Sequence, residues 1–268
     1  MSGFLASVRS AEEARIALAG GADIVDVKEP SAGALGRVAD AVLRAIVETL
    51  GGSRPVSATI GDVPLDPETV RAAATETAAT GADIVKIGLF AGDREATLAA
   101  LAPLARGGTR LVAVIFADRA PDLAQLVPRC AASGFVGVML DTADKRAGPL
   151  TTHLPVAALI RFVESARAHG LLSGLAGALR LDDIPALAPL GADYLGFRSA
   201  LTVGGRDRGI DPAAVAAVRH ALDATLPLGA GRVQLPWSSS ATATAGARSA
   251  GAAASAAPAV STVSSKAR

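Results

Sequence analysis

An octet opening with Gly-Ala-Asp recurs along the chain. It reads GADIVDVK at Gly21–Lys28, GADIVKIG at Gly81–Gly88 and, more loosely, GADYLGFR at Gly191–Arg198. In each copy a glycine that can end a helix is followed by a short apolar run of strand length. In the first copy Ile24, Val25 and Val27 form the run, yet Asp26 and Lys28 lie within and against it, and Pro30 stops it. A chain that repeats helix end, turn and strand start must stack like units into one sheet. The polar residues inside the run must face something other than hydrocarbon.

The intervening sequence keeps the same rhythm. Candidate strands are Phe4–Val8, Ile24–Lys28, Val56–Ile60, Ile84–Ile87, Leu111–Phe116, Gly137–Leu140, Leu171–Leu175 and Tyr194–Phe197. Helical stretches such as Ala11–Ala19, Ala39–Thr49, Pro67–Ala79 and Leu154–His169 lie between them. Ser10 with Glu13, and Asp66 with Pro67, read as helix starts. Eight β–α units in about 225 residues predict an α/β protein, a (β/α)8 TIM barrel. A doubly wound sheet is the alternative. After Leu228 the chain turns to Ala, Ser, Thr and Gly without an acidic residue or an apolar period. We therefore expect a barrel domain over 1–228 and a low-complexity, disordered tail over 229–268.

Composition closes off several classes. No apolar run approaches the eighteen or so residues of a membrane span, and the N-terminus MSGFLASVRS lacks the layout of a secretory signal. Cys130 is the single cysteine, which excludes an internal disulfide or a multi-cysteine metal site. With 26 basic and 25 acidic residues, no net field favours nucleic acid. The expected location is the cytoplasm.

In a barrel, strand residues alternate between lumen and helix layer, and the C-terminal strand ends form the active-site mouth. If Val25 and Val27 pack under helices, Asp26 and Lys28 point inward. The repeat then puts Lys86 where Asp26 stands in the first copy. An amine crowded by a second cation and partly desolvated has a lowered pKa and can attack a carbonyl to form a Schiff base. A simple strand-end pair of Asp26 with Lys28 is the ordinary alternative. Against it stands the lysine count: Lys28, Lys86, Lys145 and Lys266, beside 22 arginines. Three of the four lie at or just after predicted strand ends, as expected where a deprotonatable amine is required.

GVMLDTADKRAGPL places Asp141 directly after the sixth strand and Lys145 four residues on, in a loop that Thr142 or Asp144 could also serve as a turn cap. Asp118, after the fifth strand, reads equally as catalytic or as a cap. Behind strands seven and eight, SGLAGAL and GFRSAL bring small residues and backbone amides to the position where barrels commonly bind phosphate. The candidate phosphate residues are Ser173, Gly174, Gly177, Gly196, Arg198 and Ser199, with Arg198 as the charged partner.

Taken together, DIVDVKEPSAGALG, ADIVKIGL, VAVIFAD, VMLDTADKRAGPL and SGLAGAL resemble the (5-formylfuran-3-yl)methyl phosphate synthase family over Phe4 to about Leu222. The resemblance implies a TIM barrel that condenses two molecules of glyceraldehyde 3-phosphate to a furan aldehyde phosphate, with loss of phosphate and water, for methanofuran-type one-carbon carriers. It implies that Lys28 is the Schiff-base lysine and Lys86 the proton acceptor, with Asp26, Asp141 and Lys145 as further active-site groups. A class I aldolase, a triose phosphate isomerase or a non-catalytic phospho-ligand barrel remain the alternatives. No cofactor and no metal are expected, and His153, His169 and His220 fall on helices or their flanks. The expected partners are the triose phosphate and further copies of the chain in a homo-oligomer; neither nucleic acid nor membrane is expected.

Overall fold

A computed structural model describes residues 2–225, and the expected tail lies outside them. Eight parallel strands close in sequence order. They are β1 (Gly3–Val8), β2 (Ile24–Val27), β3 (Val56–Thr59), β4 (Ile84–Gly88), β5 (Leu111–Phe116), β6 (Gly137–Asp141), β7 (Leu172–Leu175) and β8 (Tyr194–Phe197). β1 pairs with both β2 and β8, the latter in the register Gly3↔Tyr194 to Ala6↔Phe197. That last pairing excludes the doubly wound alternative, because an open sheet leaves its edges unpaired. The fold is the expected (β/α)8 TIM barrel.

Helices α1 (Ala11–Ala19), α2 (Asp40–Leu50), α3 (Pro67–Ala78), α4 (Arg94–Arg106), α5 (Leu123–Ala132), α6 (Leu150–His153), α7 (Val156–Ala168), α8 (Ile184–Leu187) and α9 (Pro212–Ala224) connect and cover the strands. Their starts are chemically explicit. Asp66 accepts from Thr69 N ahead of Pro67, and Asp211 accepts from Ala214 N ahead of Pro212. The Ser10 cap is only half of a capping box. Ser10 accepts from Glu13 N, but the Glu13 carboxylate turns away to Arg9 N and Arg198.

The recurring octet has a structural explanation of its own. Asp23, Asp83 and Asp193 each accept from the backbone N–H of a residue on the preceding strand: Phe4, Val56 and Ser173, at 2.8, 2.8 and 2.7 Å. The N–H of each aspartate returns a bond to that same residue's carbonyl, at 2.8, 2.9 and 2.9 Å. Each copy therefore fastens the N-terminal end of one strand to its neighbour. Gly21, Gly81 and Gly191 make the turns at φ 81°, 96° and 74°, where a Cβ would be strained.

Burial follows the period of two. Phe4, Ala6 and Val8, then Val25 and Val27, then Val85 and Ile87, join the layer between strands and helices. A separate apolar cluster of Leu5, Ile24, Ile84, Val112, Met139, Ala176 and Tyr194 fills the lumen below the mouth. Among the described residues no helix is long and apolar enough to cross a membrane.

Candidate active site

Above the apolar plug, the inward positions become polar. Asp26 and Lys28 on and after β2, Lys86 on β4 and Asp141 at the end of β6 are all buried, with Asp26 fully inaccessible. Asp26 sits at the centre. Its Oδ1 accepts from Lys86 Nζ at 2.9 Å and Ser57 Oγ at 2.6 Å, and its Oδ2 from Ser7 Oγ at 3.0 Å. Lys28 Nζ stands 3.9 Å from Asp26 Oδ2 and 4.0 Å from Asp141 Oδ2. Asp141 Oδ1 accepts from Thr142 N at 2.7 Å and from Lys145 Nζ, whereas its buried Oδ2 has no hydrogen-bond partner.

Burial alone would raise the Asp26 carboxyl, but Lys86 and Lys28, with the Ser57 hydroxyl, outweigh it and hold Asp26 below the ordinary carboxylate range. Asp141 is likewise held low against its burial, by Lys145 and Lys28 and by hydrogen bonds from Lys145 and Thr142. Lys28 moves the other way. Desolvation pulls its amine down to about 8, Asp141 and Asp26 resist, and Lys145 and Lys86 push further down. Desolvation leads here, and the second cation contributes less than the sequence pattern suggests.

Lys28, Asp141 and Lys145 line an open cavity of about 340 Å³ at the mouth, together with Ser7, Gly177, Ala178, Gly196, Ser199 and Arg206. Lys86 lines a second space lower in the lumen, with Ser57, Tyr194, Ile24 and Ile84. The two lysines therefore meet opposite sides of Asp26 and not one common chamber.

The expected phosphate residues divide. Gly177, Gly196 and Ser199 reach the cavity. Ser173 does not, because its N–H and hydroxyl both bind Asp193 at the opposite end of β7. Gly174 also lies outside; a Cβ there would run into the Tyr194 ring, so packing accounts for that glycine. At Gly177, φ 111° and the nearby Thr142 demand glycine on backbone grounds alone. Arg198 lines the cavity, with its guanidinium engaged by Glu13 and by backbone carbonyls.

Several supporting groups were not legible. Ser7 and Ser57 hold Asp26. Asp62 accepts from Ala34 N and Leu35 N, fixing the loop after β2, with both bonds at 2.8 Å. Asp118 accepts from Ala143 N and Asp144 N, also at 2.8 Å, fixing the loop that carries Lys145. Asp118 is thus a pin for the neighbouring loop and caps no helix, since it lies within the short turn Ala117–Arg119. Among the described residues no group of three or more His, Cys, Asp or Glu side chains is placed to hold a metal ion.

The sequence model of 4-HFC-P synthase matches residues 4–219. The chain belongs to the 4-HFC-P synthase family. It is 44% identical over 222 residues to the candidate (5-formylfuran-3-yl)methyl phosphate synthase of Methylorubrum extorquens, covering 82% of this chain and 91% of that one. It is 41% identical over 217 residues to the (5-formylfuran-3-yl)methyl phosphate synthase of Methanopyrus kandleri, covering 76% and 92%. Relatives named as synthases mark this family member as an enzyme with a (5-formylfuran-3-yl)methyl phosphate synthase role. Among solved structures, 3-hexulose-6-phosphate synthase from Salmonella typhimurium superposes with TM-score 0.63 at 18% identity, over 83% of this chain and 99% of that one. At that identity the likeness concerns the barrel alone.

Proposed function

We propose that this family member joins two molecules of glyceraldehyde 3-phosphate through an imine on Lys28, giving (5-formylfuran-3-yl)methyl phosphate, phosphate and water. The observation that supports this reading is the Lys28 amine itself, buried on a cavity wall, lowered to about 8, and faced by an Asp141 oxygen without a hydrogen bond. At pH 7 about a tenth of such an amine is neutral, against roughly one in 3,000 for an ordinary lysine. The names of the relatives supply the product.

The steps follow from the contacts. One triose phosphate isomerises to its ketone form, and Lys28 Nζ attacks that carbonyl. Asp141 Oδ2 takes the proton displaced from Nζ and returns it to the hydroxyl, which leaves as water. Lys86 begins as the donor in its pair with Asp26. Through Asp26 it passes a proton to the carbonyl oxygen as Lys28 Nζ attacks, then as the free amine takes up the α-proton by the same relay, leaving an enamine. Asp26, between the two amines, relays protons. The enamine carbon attacks the aldehyde of the second triose phosphate, forming the carbon–carbon bond. Asp141 and Lys145 assist loss of water and of one phosphate, and ring closure releases Lys28. No oxidant or reductant is required. Each general acid or base of this kind contributes about 10²–10⁴-fold. The furan product then supplies the ring of methanofuran-type one-carbon carriers.

The test is incubation with glyceraldehyde 3-phosphate alone, following furan absorbance and free phosphate together. Both should rise in equal amounts. A borohydride-trapped adduct without phosphate release would instead indicate an aldolase-type or isomerase barrel. Neither signal would indicate a binding barrel and sink the proposal.

A further inference from the structure

The mouth carries two arginines at the β7–β8 side, and their surroundings are opposite. Arg198 has five N–H donors and all five are engaged. Nε donates to Arg206 O at 2.9 Å; Nη1 donates to Ser7 O at 3.1 Å and Glu13 Oε2 at 2.5 Å; Nη2 donates to Glu13 Oε1 at 3.3 Å and Arg208 O at 2.6 Å. Its side chain is 5% exposed and its charge is matched by Glu13. No donor remains for a ligand. Two of the five bonds hold carbonyls of the segment that follows β8.

That segment carries Arg206. Thr202 bridges to Ile210 at its base, and Gly204 and Gly205, at φ 85° and 131°, turn the chain just before Arg206. Arg206 is one of the residues lining the cavity, with Lys28, Asp141, Gly177 and Ser199. Its one side-chain hydrogen bond among the described residues runs from Nη2 to Gly33 O at 3.5 Å, the outer limit of such a bond. A planar guanidinium with one long hydrogen bond, on a residue of a cavity whose wall also carries two lysines and one carboxylate, suits a phosphate dianion.

We propose that Arg206 is the cationic anchor for a substrate phosphate, and that Arg198, neutralised by Glu13, positions it by gripping its loop. This rests on the reading above that the substrate is a phosphorylated triose. It moves the charged phosphate contact from the strand end to the loop, eight residues on.

The test compares wild type with R206A and R206K by borohydride trapping at Lys28, across concentrations of glyceraldehyde 3-phosphate and of unphosphorylated glyceraldehyde. In R206A the ratio of the two half-saturating concentrations, phosphorylated over unphosphorylated, should rise about ten- to hundredfold, the range expected for losing a charge-assisted hydrogen-bond pair. R206K should recover part of the effect, since charge returns without the fork. An unchanged ratio overturns the assignment. Calorimetry with inorganic phosphate provides an arm independent of the imine. Weaker binding by R206A supports the proposal, while equal affinity, or a wild type that binds no phosphate, overturns it. If neither carbonyl compound is trapped by wild type, the imine reading fails and calorimetry alone decides the role of Arg206.

Discussion

Two carboxylate–lysine pairs face each other across the lumen, and they are built differently. Asp26 and Lys86 both stand on strands, in the closed interior. Asp26 accepts from Lys86, Ser57 and Ser7, so both its oxygens are engaged. Asp141 ends a strand, its partner Lys145 lies on a loop, and one of its buried oxygens has no donor. A saturated carboxylate in a rigid wall holds charge and geometry in place. One with an unpaired oxygen beside a neutralisable amine is ready to exchange a proton. Lys28 lies between the two, 3.9 Å from one carboxylate and 4.0 Å from the other. The inner pair sets the field and exchanges protons with Lys28 only through Asp26, whereas the outer pair lines the cavity at the mouth.

Five substitutions sharpen or break that contrast. The largest effect is expected at the shared element. Lys28→Arg keeps the charge but cannot form an imine, so turnover should fall on the order of 10⁴-fold with the fold intact. Near-normal product formation by the purified variant would mean that Lys28 only neutralises charge.

Next come the two carboxylates, measured by both kcat and thermal midpoint. Asp26→Asn leaves the Lys86 ammonium buried without its counter-charge, at about 3–5 kcal/mol, which lowers Tm by roughly 10 °C. Asp141→Asn should lower kcat about 10²–10⁴-fold and Tm far less, because Lys145 can swing from its loop into water. Two variants with matching losses in both readouts would erase the distinction between holding and exchanging.

A smaller effect tests whether the inner pair reaches Lys28. Lys86 helps to push the Lys28 amine down to about 8. Removing that cation in Lys86→Met, which also frees the Asp26 charge to favour ammonium, should raise the Lys28 value. In wild type, imine trapping grows as pH rises through about 8; in the variant this growth should begin at higher pH. Superimposable profiles would show that the two amines do not sense each other.

The smallest effect is expected from Ser57→Ala. Ser57 helps to hold the Asp26 carboxyl below its ordinary value. A depressed carboxyl stabilises the fold above its unfolded-state pKa, and that contribution is lost as pH falls through the folded value. With less depression the loss begins sooner, so acid unfolding should move to higher pH while kcat falls less than tenfold. An unmoved acid midpoint would remove Ser57 from the support of Asp26.

By itself the sequence determined what is local. A period of two within each run, glycines at helix ends and a recurring aspartate were enough for eight strands and their inward faces. Lys28, Asp26 and Lys86 are inward because Val25, Val27, Val85 and Ile87 must be outward. Asp141 and Lys145 followed from position after a strand. What the sequence could not supply was partnership. Ser57 reaches Asp26 across a separation of 31 residues, and Glu13 reaches Arg198 across 185. Both contacts depend on how far each strand is staggered and where β8 closes on β1. Chemistry of the side chain alone suggested Arg198 for phosphate and Ser173 for the mouth, yet closure gave Arg198 to Glu13 and Ser173 to Asp193. A hydrogen bond is decided within a few tenths of an ångström, and only the assembled barrel sets distances that finely.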